Sequence, residues 1–345
     1  VENNKKGSFT VSIVIPCRNE KEYIGRCLDS FVTQNYPQEL YEIFVCDGLS
    51  NDGTRDIVKK YSLKYKNIKI LDNKGVSAPK GMNLGIKHSK SDVIIIFGAH
   101  AYADKDFIKN NVEALQKPEV GCAGGPIKTI SENQVGKAIA LAMSSPFGVG
   151  NALFRFAEDE MYVDTVAFGA YRREVLDKIG YFDEELVRNQ DDELNFRVCK
   201  YGYRILLSPK IKSVYYSRGS LKKLWKQYYQ YGFWKVRVMQ KHGKVASMRH
   251  LVPIAFVLSN ILGIGLGVFF KPILVLWLIE AIMYIACNLI FTIKLGKKEP
   301  NTMKYLPIIF PILHISYGLG FLNGILTFHI FKSNSVIDKN TKMSR

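Results

Sequence analysis

Short apolar runs and helically spaced stretches alternate along the first hundred residues. Phe9–Pro16 is rich in β-branched residues and reads as a buried strand that proline stops. Glu22–Gln34 carries Tyr23, Ile24, Cys27, Leu28 and Phe31 at helical spacing, and Asn35-Tyr36-Pro37 ends it. Tyr41–Asp47 reads as a second strand, Ser50–Thr54 as a turn whose Thr54 caps a helix over Arg55–Tyr65, and Ile68–Leu71 as a third strand. A helix over Ala78–Ser89 leads to a fourth strand, Val93–Phe97. This alternation predicts an α/β fold with a parallel sheet covered by helices on both faces. In such sheets a ligand binds beyond the carboxyl ends of the strands, which is where Gly98-Ala99-His100 falls.

Beyond it, the pattern predicts a helix over Lys105–Leu115 and a glycine-rich strand over Val120–Thr129; Ser131–Asn151 gives little pattern. Asp164–Ala170 reads as strand and turn before a helix, and Arg188–Leu194 as the acidic start of another. The last third changes character. Leu251–Phe270, Ile273–Ile293 and Tyr305–Phe331 are apolar and of bilayer length, with Glu280 inside the second and Pro307 and Pro311 inside the third. The lysines of 294–304 place that loop in the cytosol. Three spans would then put 332–345 outside, whereas Lys332, Lys339, Lys342 and Arg345 favour the inside. A re-entrant or interfacial third segment reconciles the two, and the sequence leaves both arrangements open.

Charge adds a partner. Lys and Arg number 48 against 31 Asp and Glu, a net charge of +17, and from Lys210 to His250 there are eleven Lys/Arg and no acid. Such a block attracts nucleic acid or anionic lipid, or is simply a solvated face; the apolar segments that follow favour membrane lipid and no nucleic acid. Ser220–Lys244 intersperses Trp225, Tyr228, Tyr229, Phe233 and Trp234 with lysines, the composition of a helix in the headgroup layer. The six cysteines have no paired spacing and read as free thiols of a reducing compartment. No signal peptide is visible, so the N-terminal part is expected in the cytosol. The boundaries are a polar lead at 1–8, an α/β domain at 9–215, a basic aromatic segment at 216–250, a membrane region at 251–331 and a polar tail at 332–345.

Neither a G-x-G-x-x-G nor a G-x-x-x-x-G-K-[ST] motif occurs, which argues against a dinucleotide dehydrogenase and a P-loop enzyme. Four pieces do occur in order: IPCRNE at Ile15–Glu20, CDGLSNDGT at Cys46–Thr54, the strand ending at Gly98-Ala99-His100, and QDDEL at Gln190–Leu194. Together they resemble the family 2 inverting glycosyltransferases of the GT-A fold. Val76–Ile86, Ser144–Arg155, Asp164–Leu176 and Arg188–Arg197 are similar to its succinoglycan-type glucosyltransferase branch.

The resemblance implies a Rossmann-like nucleotide-diphospho-sugar transferase domain followed by transmembrane helices, with the basic aromatic segment closing the acceptor side. It implies transfer of a sugar from a nucleotide-sugar donor, UDP-linked on this reading, to a lipid-linked saccharide at the cell membrane. A polyprenyl-phosphate sugar transferase and a non-catalytic nucleotide-binding scaffold are the alternatives. It puts Pro16, Arg18 and Glu20 at the base and ribose pocket, Asp47 at the base edge, and Lys80 and Asn83 near the donor's phosphate or sugar. Asp52 is placed in a turn. Asp191 becomes the general base that takes the acceptor's proton, with Gln190, Asp192 and Glu193 beside it; without the resemblance the same acids read as a solvated helix start. The family's divalent cation, Mn or Mg, is held by a D-x-D motif, and here Gly98 replaces the first aspartate while His100 remains. Three arrangements answer this. The cation is held by His100, the diphosphate and a carboxylate such as Asp104 or Asp191; or it is dispensed with; or the donor site is impaired.

Overall fold

The computed structural model describes residues 9–150, 152–155, 157–217, 219–244 and 248–341. The expected lead at 1–8 and the end of the tail at 342–345 lie outside them. The strands are β1 (Val11–Cys17), β2 (Tyr41–Asp47), β3 (Ile68–Asp72), β4 (Val93–Ile96), β5 (Ala101–Ala103), β6 (Val120–Gly125), β7 (Ile127–Ile130), β8 (Met161–Val163), β9 (Ala167–Arg172), β10 (Arg204–Leu207) and β11 (Ser213–Tyr216). The helices are α1 (Ile24–Val32), α2 (Thr54–Lys64), α3 (Ala78–His88), α4 (Phe107–Ala114), α5 (Gln134–Met143), α6 (Pro146–Val149), α7 (Arg173–Ile179), α8 (Gln190–Lys200), α9 (Leu221–His242), α10 (Val252–Gly267), α11 (Lys271–Gly296), α12 (Leu306–Ile325) and α13 (Asn334–Thr341). The described residues form two compact units, one within 1–128 and 156–215, the other within 129–155 and 216–345.

The first unit is built on an eight-stranded sheet of order β3-β2-β1-β4-β9-β6-β10-β8. β1 through β4 pair in parallel, as helical crossovers between them require. β9 runs antiparallel to both β4 and β6, so the sheet is mixed where the sequence pattern predicts a parallel one. The chain reaches β9 after the long excursion that starts beyond β6, and no crossover fixes its direction. The strand pattern itself holds: Val93, Ile94 and Ile95 are fully buried. Phe97 extends β4 into an aromatic cluster, meeting Phe31 edge-on at 4.8 Å and Phe107 at 5.3 Å. Such pairs contribute about 0.5–1.5 kcal/mol each beyond area burial.

In the second unit, α11 and the helical stretch Leu306–Phe331 are long and apolar enough to cross a membrane. α10 has 16 residues and falls short of the expected first span. Pro272, without an N–H, sits in the first turn of α11 and fits a fresh helix start better than a continuation. α9 also differs from the expected headgroup helix. Phe233 and Trp234 are fully buried within the unit, and Trp225 remains exposed. Its aromatic face packs protein rather than lipid.

Candidate functional site

The parallel register sets the carboxyl ends of β1, β2 and β3 side by side, with Cys17 opposite Asp47 and Asp47 opposite Asp72. Two loops leave this edge and are stitched together. Asn19 N donates to Ser50 Oγ, Asn51 N to Asn19 Oδ1, Glu20 N to Thr54 Oγ1, and Lys21 N to Asp52 Oδ2. Asp52 also accepts from Thr54 N at 2.9 Å; Gly53, left-handed at φ 97°, holds the cap position of α2, and Thr54 is the first helical residue rather than the cap. Asp52 is thus a structural element of the turn.

Asp47 is fully buried. Its Oδ2 accepts from Arg55 Nη1 at 2.7 Å and from Ser50 N at 3.0 Å. Arg55 reaches Asp72 with its other amine at 2.7 Å. Asp47 Oδ1 has no hydrogen-bond partner among the described residues, and neither does the buried Ser77 Oγ. Asn73 links the two residues by donating from its N to Asp47 O and from Nδ2 to Ser77 O. Val76, in this turn, has φ 65°, a conformation that a β-branched residue adopts only where its surroundings impose it. A buried polar atom without a partner costs about 1–3 kcal/mol, which a donor such as a base N–H would recover.

Beyond β4, Gly98 O accepts from Ala101 N and the chain turns. His100 Nδ1 comes 3.4 Å from Glu20 Oε1, and its ring meets Tyr215 edge-on at 4.9 Å. Glu20 thus sets a carboxylate beside His100. Asp104, the expected alternative, accepts from Asp106 N at the start of α4. A side chain at position 98 has little room: a Cβ there would lie 3.0 Å from Phe168 Cε1. Phe168 has φ 51° and its ring lies tilted against that of Phe97, centroids 4.5 Å apart. Its ring stands where the first D-x-D aspartate would begin. Among the described residues no group of three His, Cys, Asp or Glu side chains is arranged to hold a metal. Glu20 still offers a carboxylate, the oxygen donor that suits a hard cation completing its shell with phosphate oxygens, and His100 adds an imidazole nitrogen beside it.

Asp191 occupies the second position of α8, behind Asn189 in the left-handed conformation at φ 60°. Burial pushes its carboxyl up to about 7, and the negative charge of Asp192 adds to the effect. Asp191 in turn helps raise the Tyr171 hydroxyl, whose burial is the larger cause. Tyr171 donates to Asn195 Oδ1 and Asn195 to Thr165 Oγ1, both at 2.9 Å, which fixes the helix under Asp191.

The remaining expected residues separate by role. Glu193 is buried and takes a two-pronged bond from Arg197, at 2.8 and 2.7 Å, while Arg197 also donates to the carbonyls of Ile179, Gly180 and Tyr181. Asn83 commits its amide to Phe182 N, Phe182 O and Glu184 Oε1. Both hold loops in place and keep little capacity for a ligand. Arg18 and Lys80 are exposed, Pro16, Gln190 and Asp192 half-buried. Arg55 and Phe168 are the residues that motif reading missed; the D-G-x-x-x-x-x-x-R spacing from Asp47 was the available signal for the first, and Phe168 had none. A groove of about 850 Å³ lined by Thr10, Glu42, Lys66 and Ser91 lies at the amino ends of the strands, opposite this edge.

Residues 12–180 match "Glycosyl transferase family 2". The chain is 35% identical, over 92% of its length and 97% of the relative's, to dolichyl N-acetyl-alpha-D-glucosaminyl phosphate 3-beta-D-2,3-diacetamido-2,3-dideoxy-beta-D-glucuronosyltransferase of Methanococcus voltae. It is 28% identical to the succinoglycan biosynthesis protein ExoA of Rhizobium meliloti (strain 1021), over 70% of this chain and 74% of that one. In fold it resembles a mannosyltransferase of Pyrobaculum calidifontis solved with GDP-Man and Mn2+, with a TM-score of 0.59 and 17% identity over 92% of this chain and 88% of that chain. The GT-A sheet, the strand-end carboxylates and this full-length similarity converge: the chain belongs to glycosyl transferase family 2 and is a glycosyltransferase.

Proposed function

We propose that the protein is a membrane-anchored, inverting hexosyltransferase that moves a sugar from a nucleotide diphosphate donor, UDP-linked, to a lipid-linked saccharide during synthesis of a cell-surface glycan. The observation that carries the chemistry is Asp191, a carboxyl raised to about 7 at a helix start. A base of that strength holds a proton tightly enough to draw it from a hydroxyl, yet is ionised near neutrality. The acceptor oxygen forms its bond to the anomeric carbon as the bond to the diphosphate breaks, and the proton passes to Asp191. Asp47 Oδ1 accepts from the base edge of the donor, with Pro16, Arg18 and Lys80 around it. His100 and Glu20 would hold a Mn or Mg ion together with the donor's diphosphate. Such an ion supplies positive charge to the leaving group. The lipid-linked acceptor is supported by the relative from Methanococcus voltae, whose name specifies a dolichyl-phosphate-linked sugar.

We further read residues 9–215 as the catalytic domain, on the cytoplasmic side, and the apolar helices as its anchor. The test uses the purified full chain with UDP- and GDP-sugars, a polyprenyl-linked saccharide and Mn2+ or Mg2+. Transfer from a UDP-sugar that is lost in Asp191→Asn, with UDP binding kept, is the expected result. UDP binding without turnover under every condition refutes the proposed donor and acceptor pair, and turnover retained in Asp191→Asn refutes the base assignment.

A further inference from the structure

Two helices pass the length and apolarity test for a membrane span, but their surroundings differ. In α11 only 6% of the apolar window is buried within the protein; in Leu306–Phe331 the share is 44%. The second half of α12 and the turn after it lie against α9 in the same direction, from Gly320 beside Tyr229 to Phe328 beside Gln240. Leu224 and Tyr228 of α9 share a cluster with Leu306 and Phe310. A Cβ at Gly320 would come 2.0 Å from Tyr229 O, and one at Gly324 would come 2.7 Å from Phe233 O. At the far end Gln240 Nε2 donates to Phe328 O at 3.2 Å. α9 carries Lys222, Lys223, Lys226, Lys235, Arg237 and Lys241. A lysine or arginine at the bilayer centre costs about 2.5–3.5 kcal/mol on insertion scales, so carrying these six cations into the layer disfavours α12 as a span. After α12 the chain doubles back. Gln230 Nε2 and Trp234 Nε1 both donate to Asn340 O, at 2.9 and 3.2 Å, which holds α13 against the middle of α9.

The α10–α11 hairpin is built the other way round. Its polar groups face each other: Ser259 Oγ donates to Glu280 Oε1 at 2.7 Å and Trp277 Nε1 to Asn260 Oδ1 at 3.1 Å. Ile261, Leu262, Ile264, Leu276, Ile282 and Met283 are each more than half exposed, from 51% to 67%. Lys271 stands at one end of α11 and Lys294, Lys297 and Lys298 at the other, placed to meet phosphate headgroups. At 1.5 Å per residue the 26 residues of α11 extend about 39 Å, against a hydrocarbon layer of about 30 Å. The 16 residues of α10 extend about 24 Å, and the exposed apolar Val268, Phe269 and Phe270 that follow them carry the chain across the rest of the layer.

We propose that only the α10–α11 hairpin enters the bilayer, that α12 stays docked along α9 at the near surface, and that α13 returns to the side on which α9 lies. This rests on the membrane reading above and removes the charge conflict of a translocated basic tail.

The experiment uses the full chain in sealed vesicles of both orientations, with the exposed thiols removed by Cys199→Ser and Cys287→Ser. Single cysteines are introduced as Phe269→Cys, Lys298→Cys and Lys339→Cys and treated with a membrane-impermeant maleimide; retained turnover verifies folding. Lys298→Cys and Lys339→Cys should label from one face, and Phe269→Cys should not label from that face. Labelling of Lys339→Cys only from the face opposite Lys298→Cys overturns the proposal, as does labelling of Phe269→Cys from the same face as Lys298→Cys. Release of the unsubstituted chain by alkaline carbonate overturns the membrane reading itself, a result that the labelling pattern cannot produce.

Discussion

Replacing Asp191 by asparagine removes one ionisable group and should change two observables in opposite directions. The carboxyl stands at about 7 in the fold, against an ordinary value of 3.8, because burial, aided by Asp192, disfavours its charge. Ionising it costs more in the folded protein than in the unfolded chain. Below pH 3.8 the group is neutral in both states and does not penalise folding; the penalty grows as pH rises towards 7 and is complete above it. The gap of about 3 units corresponds to about 4 kcal/mol at pH 8. Asp191→Asn removes this penalty without removing volume. Its catalytic unit should therefore unfold several degrees higher than wild type at pH 8, with the two converging near pH 4. Turnover should be abolished. In wild type, kcat/KM should fall about tenfold per pH unit below 7, leaving about a tenth at pH 6. Thermal unfolding at several pH values and UDP release between pH 5 and 9 check both. A flat rate profile down to pH 5, together with an unshifted melting temperature for Asp191→Asn at pH 8, would refute the reasoning.

Asp47→Ala should weaken UDP binding by about 10–100-fold in calorimetry, since a buried acceptor awaiting a donor is worth about 1–3 kcal/mol. Arg55→Met leaves the buried Asp47 carboxylate without its ion partner and should destabilise the first unit by about 3 kcal/mol, read as a shift in denaturant midpoint. Gly98→Asp should lower the melting temperature through its contact with Phe168 and leave Mn2+ affinity unchanged, whereas Gly98→Asp with Phe168→Ala should tighten Mn2+ binding in a titration with UDP present.

Strand and helix positions up to β4 were legible because the apolar periodicity is local: Val11–Cys17 and Val93–Ile96 bury side chains on both faces whatever their neighbours. The acids of Asp47 and Asp191 were legible as candidates because their order along the chain carries the family's pattern. Pairing was not legible. β9 lies antiparallel beside β4, and only that placement brings Phe168 over Gly98. Glu20 reads as a ribose ligand in its motif and becomes the neighbour of His100 only once β1 and β4 lie side by side. Asn83 reads as a donor ligand until the loop at Phe182 claims its amide.

The membrane third shows the same division. Composition determined that residues beyond 250 are apolar and that the segment before them is basic. It could not rank the apolar stretches, because a window of hydropathy does not record what a helix packs against. α11 and the stretch Leu306–Phe331 both have 26 residues, and the tertiary structure separates them: one exposes its apolar face, the other packs it on α9. Local burial propensity is written residue by residue, whereas partner choice depends on which surfaces meet after the chain has folded.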